Sequence, residues 1–293
     1  ENRKARTTKQ ELMLEEFRGG NGGSGTRASV PLPTQYSYTQ LMDFQTCPLQ
    51  YKFKNMLRIP VRGKAPFSFG KSMHATLQMF FKAMMERQQK VQGDLFLDSA
   101  ATHPNHTSIP TLKELLNIYD HEWVDDWYDS KSHEEEYKKN GRDILKNFYT
   151  MHEGKWPLPV AVEMPFTIHV GSATLKGKTD RIDMTSDGGG YAVIDYKSGQ
   201  VPTNERDLKK NQLLLYQMAV ETIMGKPVAS LAYYYFEGQQ SFSFLGTGKE
   251  LEAVKKFIIE TISTIETSDF AATPSLISCQ HCDYEEICEY RQL

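Results

Sequence analysis

Long apolar runs are missing from this chain. Nowhere do its 293 residues hold the ~18 consecutive apolar positions that a membrane-spanning helix needs, so no membrane partner is expected. A secretory leader is missing as well, and nothing else in the composition points to secretion, which sets the expected location as the cytoplasm. There is no G-x4-GK-[ST] phosphate loop, so the chain has no nucleotide-driven motor of that type of its own. A strong net charge is lacking too: the balance of −3 rules out a generally basic, nucleic-acid-coating surface and leaves room for a local patch. Cysteine is scarce, with four in all. No internal repeat stands out. The first residue is Glu1 rather than Met, as expected of a piece of a longer polypeptide.

What is present is enough for a sizeable core. At 39% hydrophobic and 24% charged, the chain suits one large or two small globular domains. The charge is unevenly spread. Between Pro48 and Lys71 stand six basic residues (Lys52, Lys54, Arg58, Arg62, Lys64, Lys71) and no acid, with Tyr51, Phe53, Phe67 and Phe69 interleaved. Cations with aromatics suit phosphate contact and base stacking, or equally a solvated face over a core. Asp120 to Glu136 carries eight acids against Lys131, a poor surface for phosphate.

In chain order, residues 1–18 read as a short polar helix with Thr8 and Glu11 at capping-box spacing, and 19–32 as a flexible Gly/Ser linker, native or engineered. A compact domain is expected over 33–293. Ser37 to Tyr51 reads as a helix capped at Ser37, followed by a helical insert over about 72–157 built from the patterns Phe69–Lys90, Thr111–Tyr128 and His133–His152. Extended segments follow at 160–170, 173–175, 178–184 and 191–196, then a helix over 207–224, strands at 228–236 and 241–245, and a helix over 248–267. The core thus spans about 158–267, and 268–293 is a cysteine-rich, loop-like tail.

Two stretches carry chemistry. In VIDYKSG (Val193–Gly199), Asp195 and Lys197 are two apart, so a strand projects carboxylate and ammonium from one face. Upstream, GKTDRID (Gly177–Asp183) is joined to it through Asp187 and three glycines, a hairpin turn that lets Asp180 face Asp195. Asp183 is expected to pair with Arg181 or a neighbour rather than with metal, and Glu163 is a further candidate acid near the metal with little weight, since isolated strand acids are common. His74 shares a helical face with Leu77, Gln78 and Phe81, as a core histidine or as a ligand. Gln212 and Tyr216 share a helix face at i, i+4. The cysteines form C-x2-C-x5-C at Cys279, Cys282 and Cys288, with Cys47 far upstream. That spacing fits a metal site better than disulfides in a chain with no mark of secretion. Three close thiolates and one remote one suit a 4Fe-4S cluster, and His281 inside the triple keeps Zn2+ as an alternative.

Taken together, FGKSMH (69–74), GKTDRID, IDYKSG, QLLLY (212–216) and the TCPLQY-plus-triple cysteines resemble the RecB-type nucleases of the PD-(D/E)xK superfamily, over about 36–288. The resemblance is to the iron-sulfur branch that includes the AddB nuclease domain and the CRISPR-associated adaptation nucleases. It is greatest to the nuclease domain at the C-terminus of superfamily 1 (UvrD/Rep-like) DNA helicases. It implies an α/β fold with a restriction-endonuclease-like core: a mixed central sheet flanked by helices, the helical insert, and a C-terminal iron-sulfur clasp. It also implies Mg2+ or Mn2+ held by His74, Asp180, Asp195 and the Tyr196 carbonyl, with Lys197 positioning water and phosphate. Gln212 and Tyr216 become substrate-binding residues, and Cys47, Cys279, Cys282 and Cys288 the cluster ligands. The implied activity is an exonuclease on single-stranded DNA, in repair or end processing, with a helicase motor in the same or a partner chain. The alternative is a catalytically silent DNA-binding module, stabilised by an iron-sulfur cluster or zinc, beside a helicase.

Overall fold

The structure, a computed structural model, describes residues 32–95, 109–204 and 208–292, with side chains given outside 90–95. The polar helix expected over 1–18 and the linker, apart from Leu32, lie outside these residues. The described chain divides into two compact units. The first takes residues up to Arg62, His169–Lys176 and Lys255 onward; the second takes Gly63–Ile168 and Gly177–Val254.

In the first unit, Ser37 caps α1 (Tyr38–Thr46) as its sequence position predicts. Gln40 N–H donates to Ser37 Oγ at 3.2 Å, and Ser37 N–H donates to the Gln40 side chain at 2.8 Å. The single helix expected over 37–51 is broken in two at Cys47, which is extended (φ −164, ψ 118), before α2 (Pro48–Tyr51) and a π-helical turn, Lys52–Met56. The proline ring disfavours helical geometry in the residue before it and fits the first position of the helix after it. The tail carries one short helix, α8 (Leu276–Gln280), capped by Ser275. Tyr51 stacks on Phe270 with centroids 5.9 Å apart, and Phe44 meets both rings edge-on. Asp43, buried, has its charge balanced by Lys54, which donates to Oδ1 at 2.9 Å, and accepts a second bond from the Asn55 amide at 3.0 Å. Gln45 reaches Thr261, and Tyr284 donates to the Ile59 carbonyl, so residues more than two hundred positions apart are tied directly.

The second unit is built on three helices: α3 (Ala65–Leu95), α4 (Leu112–His121) and α5 (Lys131–His152). Met73, Leu77, Phe80, Phe81 and Met84 recur along α3 and are all buried against Leu115, Tyr119, Leu145 and Phe148. The helix expected to reach Tyr128 ends at His121. Beyond it Trp123 turns its indole N–H to Glu134 and stacks on Tyr128, and Trp127 takes a left-handed φ of 71. No helix among the described residues is long and apolar enough to cross a membrane.

One five-stranded mixed sheet, in the order β1-β2-β3-β4-β5, carries the rest: β1 (Pro159–Val170), β2 (Ala173–Met184), β3 (Tyr191–Lys197), β4 (Val228–Tyr235) and β5 (Gln240–Phe244). The segments expected separately at 173–175 and 178–184 are one strand. Their outer stretch belongs to the first unit, where Leu175 forms a parallel bridge with Tyr36. β2 and β3 are antiparallel, β3 and β4 parallel, β4 and β5 antiparallel. A parallel pair needs a crossover, supplied by α6 (Asn211–Met224). Leu213 through Val220 are buried without interruption, as in a helix covered on all sides. Gly225, at φ 72, ends it in left-handed geometry. α7 (Gly248–Thr267) follows the sheet. The two faces of β3 differ. Ile194 and Tyr196 join the α3–α5 core, while Lys197 meets α6.

Candidate active site

The register of β2 against β3 pairs Arg181 with Ile194 and Asp183 with Ala192. Asp180 therefore falls one step further on, opposite Asp195. A backbone contact fixes it there: Tyr196 N–H donates to Asp180 Oδ2 at 2.7 Å. The same oxygen lies 3.4 Å from His74 Nδ1, delivered by α3. That helix approaches β3 closely at Gly70, where a Cβ would stand 2.8 Å from Ser198 Oγ.

A third carboxylate joins them. One donor atom each from His74, Glu163 and Asp180 lie within 4.8 Å of one another, the one such group of three or more among the described residues. Asp195, the acid expected beside them, instead pairs with Lys197, Oδ2 to Nζ 2.6 Å. Glu163 reaches the cluster because its backbone is left-handed (φ 50) in the middle of β1, uncommon for any residue but glycine. Lys178 balances its charge. Sequence alone undervalues Glu163, because alternation along β1 does not foretell a reversed backbone at one position.

Behind the acids runs a chain of side-chain bonds. Lys197 Nζ donates to Gln212 Oε1 at 3.1 Å, and Gln212 Nε2 donates to the Tyr216 hydroxyl oxygen at 2.8 Å. The Lys197 ammonium also lies 4.9 Å over the Tyr233 ring. Gln212 and Tyr216 thus hold Lys197 in place. Arg181 points the other way. Buried, it donates to Asp183 at 3.2 Å and to the Tyr196 hydroxyl at 2.6 Å, and it lies 4.6 Å over Phe81. The pairing expected for Asp183 is present.

The electrostatics suit a cation. Burial, reinforced by the charge of Asp180, pushes the Asp195 carboxyl up to about 6 in spite of Lys197. Burial would lower His74, but its hydrogen bond to Asp180 and the charges of Asp180, Asp195 and Glu163 outweigh that and raise it. A divalent cation needs Asp195 ionised and His74 neutral, so protons compete with it. Both groups have raised folded-state values. Their contribution to stability is full below their unfolded values and is lost as pH rises through the folded ones, near 6 for Asp195. The gain in Tm on adding Mn2+ is therefore expected to be larger at about pH 8 than at about pH 5. Thermal melts with and without Mn2+ check this, and a gain that shrinks as pH rises would contradict it.

The four cysteines belong to the first unit and line one cavity, together with Phe53, Pro274 and Tyr284. None is paired in a disulfide. Burial raises Cys282 and Cys288, and the charges of Cys47 and of the other cysteines add to this. No three of the sulfurs lie within 4.8 Å of one another. His281, the alternative ligand, is exposed and does not line the cavity.

A family model described as the PD-(D/E)XK nuclease superfamily matches residues 35–289. No curated protein matches the chain significantly. Among solved structures, SSO0001 matches at 14% identity and a TM-score of 0.40, covering 97% of this chain and 95% of that one. A candidate exonuclease from Eubacterium rectale matches at 14% identity and a TM-score of 0.36, covering 63% of this chain and 83% of its own.

Proposed function

The chain belongs to the PD-(D/E)XK nuclease superfamily, and from that membership we propose a divalent-metal-dependent deoxyribonuclease that degrades single-stranded DNA from an end. Its setting is DNA repair or end processing, alongside a helicase motor in the same or a partner chain. The observation that carries the activity is the convergence of His74, Glu163 and Asp180 within 4.8 Å, with the Asp195–Lys197 pair on the adjoining strand. An imidazole with carboxylates is an adequate set for Mg2+ and favours Mn2+, since Mg2+ prefers oxygen alone. Asp195 and the Tyr196 carbonyl complete the proposed ligands. When bound, the cation supplies Lewis-acid polarisation of the phosphate and a water acidic enough to attack.

The side chains do the rest. Asp195 and Gln212 aim the Lys197 ammonium, which offers positive charge to the phosphate oxygens as negative charge builds there. The Asp195 carboxylate at 2.6 Å and the Gln212 amide oxygen at 3.1 Å take up two of the ammonium's three N–H groups and leave one to donate to a phosphate oxygen. Lys197 therefore positions and stabilises. Tyr216, by fixing the Gln212 amide, decides which end of that amide faces Lys197.

For the cysteines the proposed group is a 4Fe-4S cluster that clasps α1 to the C-terminal tail. All four cysteines line one cavity, as a cluster held by four thiolates requires, whereas His281 stands outside it. A silent binding module is the weaker reading, because it gives no reason for His74, Asp180, Asp195 and Lys197 all to be present.

End-labelled linear and circular single strands, incubated with Mn2+, Mg2+ or a chelator, test the proposal. Linear strands are expected to shorten from an end only with metal, and circles to survive. Cut circles would overturn the exonuclease assignment; no cleavage with either metal would overturn the activity.

A further inference from the structure

The groove in front of the metal ligands extends well past them. It encloses about 590 Å3 and is lined along one side by α3. Phe67, Lys71, His74 and Gln78 follow one another at i, i+4, i+7 and i+11, so they form a single track down that helix. One end of the track is out of character. Phe69, Phe80 and Phe81 on the same helix are buried, yet Phe67 is 60% exposed. An exposed apolar side chain is common by itself; what sets this ring apart is its place in the groove that holds His74, Glu163 and Asp180, with a cation against it. Its environment is that of a stacking platform: the Lys71 ammonium sits 4.6 Å from the ring centroid, covering part of the ring and placing a cation beside it. The groove's other cation, Lys178, is already paired with Glu163.

We infer that Phe67, backed by Lys71, is a nucleobase-stacking subsite that selects unpaired nucleic acid for this groove. The inference rests on the nuclease reading above and adds the residue that would set its strand preference. At ~1.5 Å rise per residue, Phe67 lies about 10 Å along the helix from His74. That is about three stacked nucleotides at ~3.4 Å each, and fewer in a stretched strand. A base inside a duplex has both faces covered and would have to leave its stack to use the ring, whereas an unpaired base has a face free. Lys71, one helical turn on, meets the phosphate between platform and metal.

The test uses the full chain carrying Phe67→Ala, Phe67→Tyr or Lys71→Ala, and single-stranded oligonucleotides with 2-aminopurine at successive positions. Binding is read in an Asp195→Asn background that does not cleave. Phe67→Ala is expected to raise KM about tenfold, the low range for loss of a base–aromatic stack. Its kcat and Tm should hold, and the 2-aminopurine quench at one position should disappear. Phe67→Tyr should restore both, and Lys71→Ala should weaken binding equally across base sequences. Unchanged KM and quench in Phe67→Ala would overturn the subsite. A matching loss of Tm in that variant would assign the ring to the fold instead. If the wild-type chain cleaves nothing with Mn2+ but shows the Phe67-dependent quench, the subsite stands and the nuclease reading falls.

Discussion

Replacing Lys197 by alanine is expected to lower kcat for metal-dependent cleavage about 10²- to 10³-fold, the cost of removing one preorganised donor to developing negative charge. The effect has two parts. The phosphate loses the ammonium, and Asp195, nearly fully buried, loses the cation 2.6 Å away that holds it ionised. The metal ligand set then becomes harder to deprotonate, so the Mn2+ requirement rises together with the fall in kcat. Gln212→Ala should cost less, about tenfold, because Asp195 and Tyr233 still hold the lysine. Tyr216→Phe acts one bond further back and should cost least. Single-turnover rates at saturating Mn2+ order the three variants. Wild-type kcat in Lys197→Ala would sink the mechanism, and equal losses in all three would mean collapse of the site rather than graded positioning.

Cys47→Ser is expected to remove the visible absorption of the anaerobically purified protein and to lower Tm on the order of 10 °C. A cluster held by Cys47 and the terminal triple would close a loop of more than two hundred residues. Treated as a cross-link, closure of that length is worth about 5 kcal/mol, and a chain of this size shifts by roughly 2–4 °C per kcal/mol. Iron and sulfide analysis, absorption and calorimetry make the measurement. A colourless wild-type protein with one zinc would overturn the cluster, and a fully loaded, stable Cys47→Ser would overturn the clasp. The Asp43–Lys54 and Gln45–Thr261 contacts persist in the variant, so it should be weakened rather than unfolded.

Much of this site is legible in the sequence because strand geometry is rigid. A spacing of two positions along one strand face, and a short Gly-rich turn between two strands, are enough to bring Asp180, Asp195 and Lys197 together. Capping at Ser37 and Thr111 is equally local, each being a polar residue three positions before a partner that returns the bond. What escapes the sequence is backbone that departs from the regular element around it. The break at Cys47 could have been read from Pro48, but the left-handed turns at Glu163 and Trp127 depend on what packs around them. The exchange of Asp195 for Glu163 in the tightest group follows from one such turn. The Lys197–Gln212–Tyr216 chain was half visible: spacing put the last two on one face of α6, and only the crossover from β3 brings the lysine to them.

Asp180 and Arg181 are adjacent and face opposite sides of β2, one toward the metal ligands and the other toward Tyr196 and Phe81. A strand that pairs one residue out of step reverses every side chain on it. A slip of β2 would therefore send a carboxylate into an aromatic core and a guanidinium into the place meant for a dication. The cost of both errors falls on the same misfolded molecule. The alternation of Asp180 and Arg181 thus makes a one-residue slip of β2 costly on both faces at once, and the sequence itself pins the register of this strand.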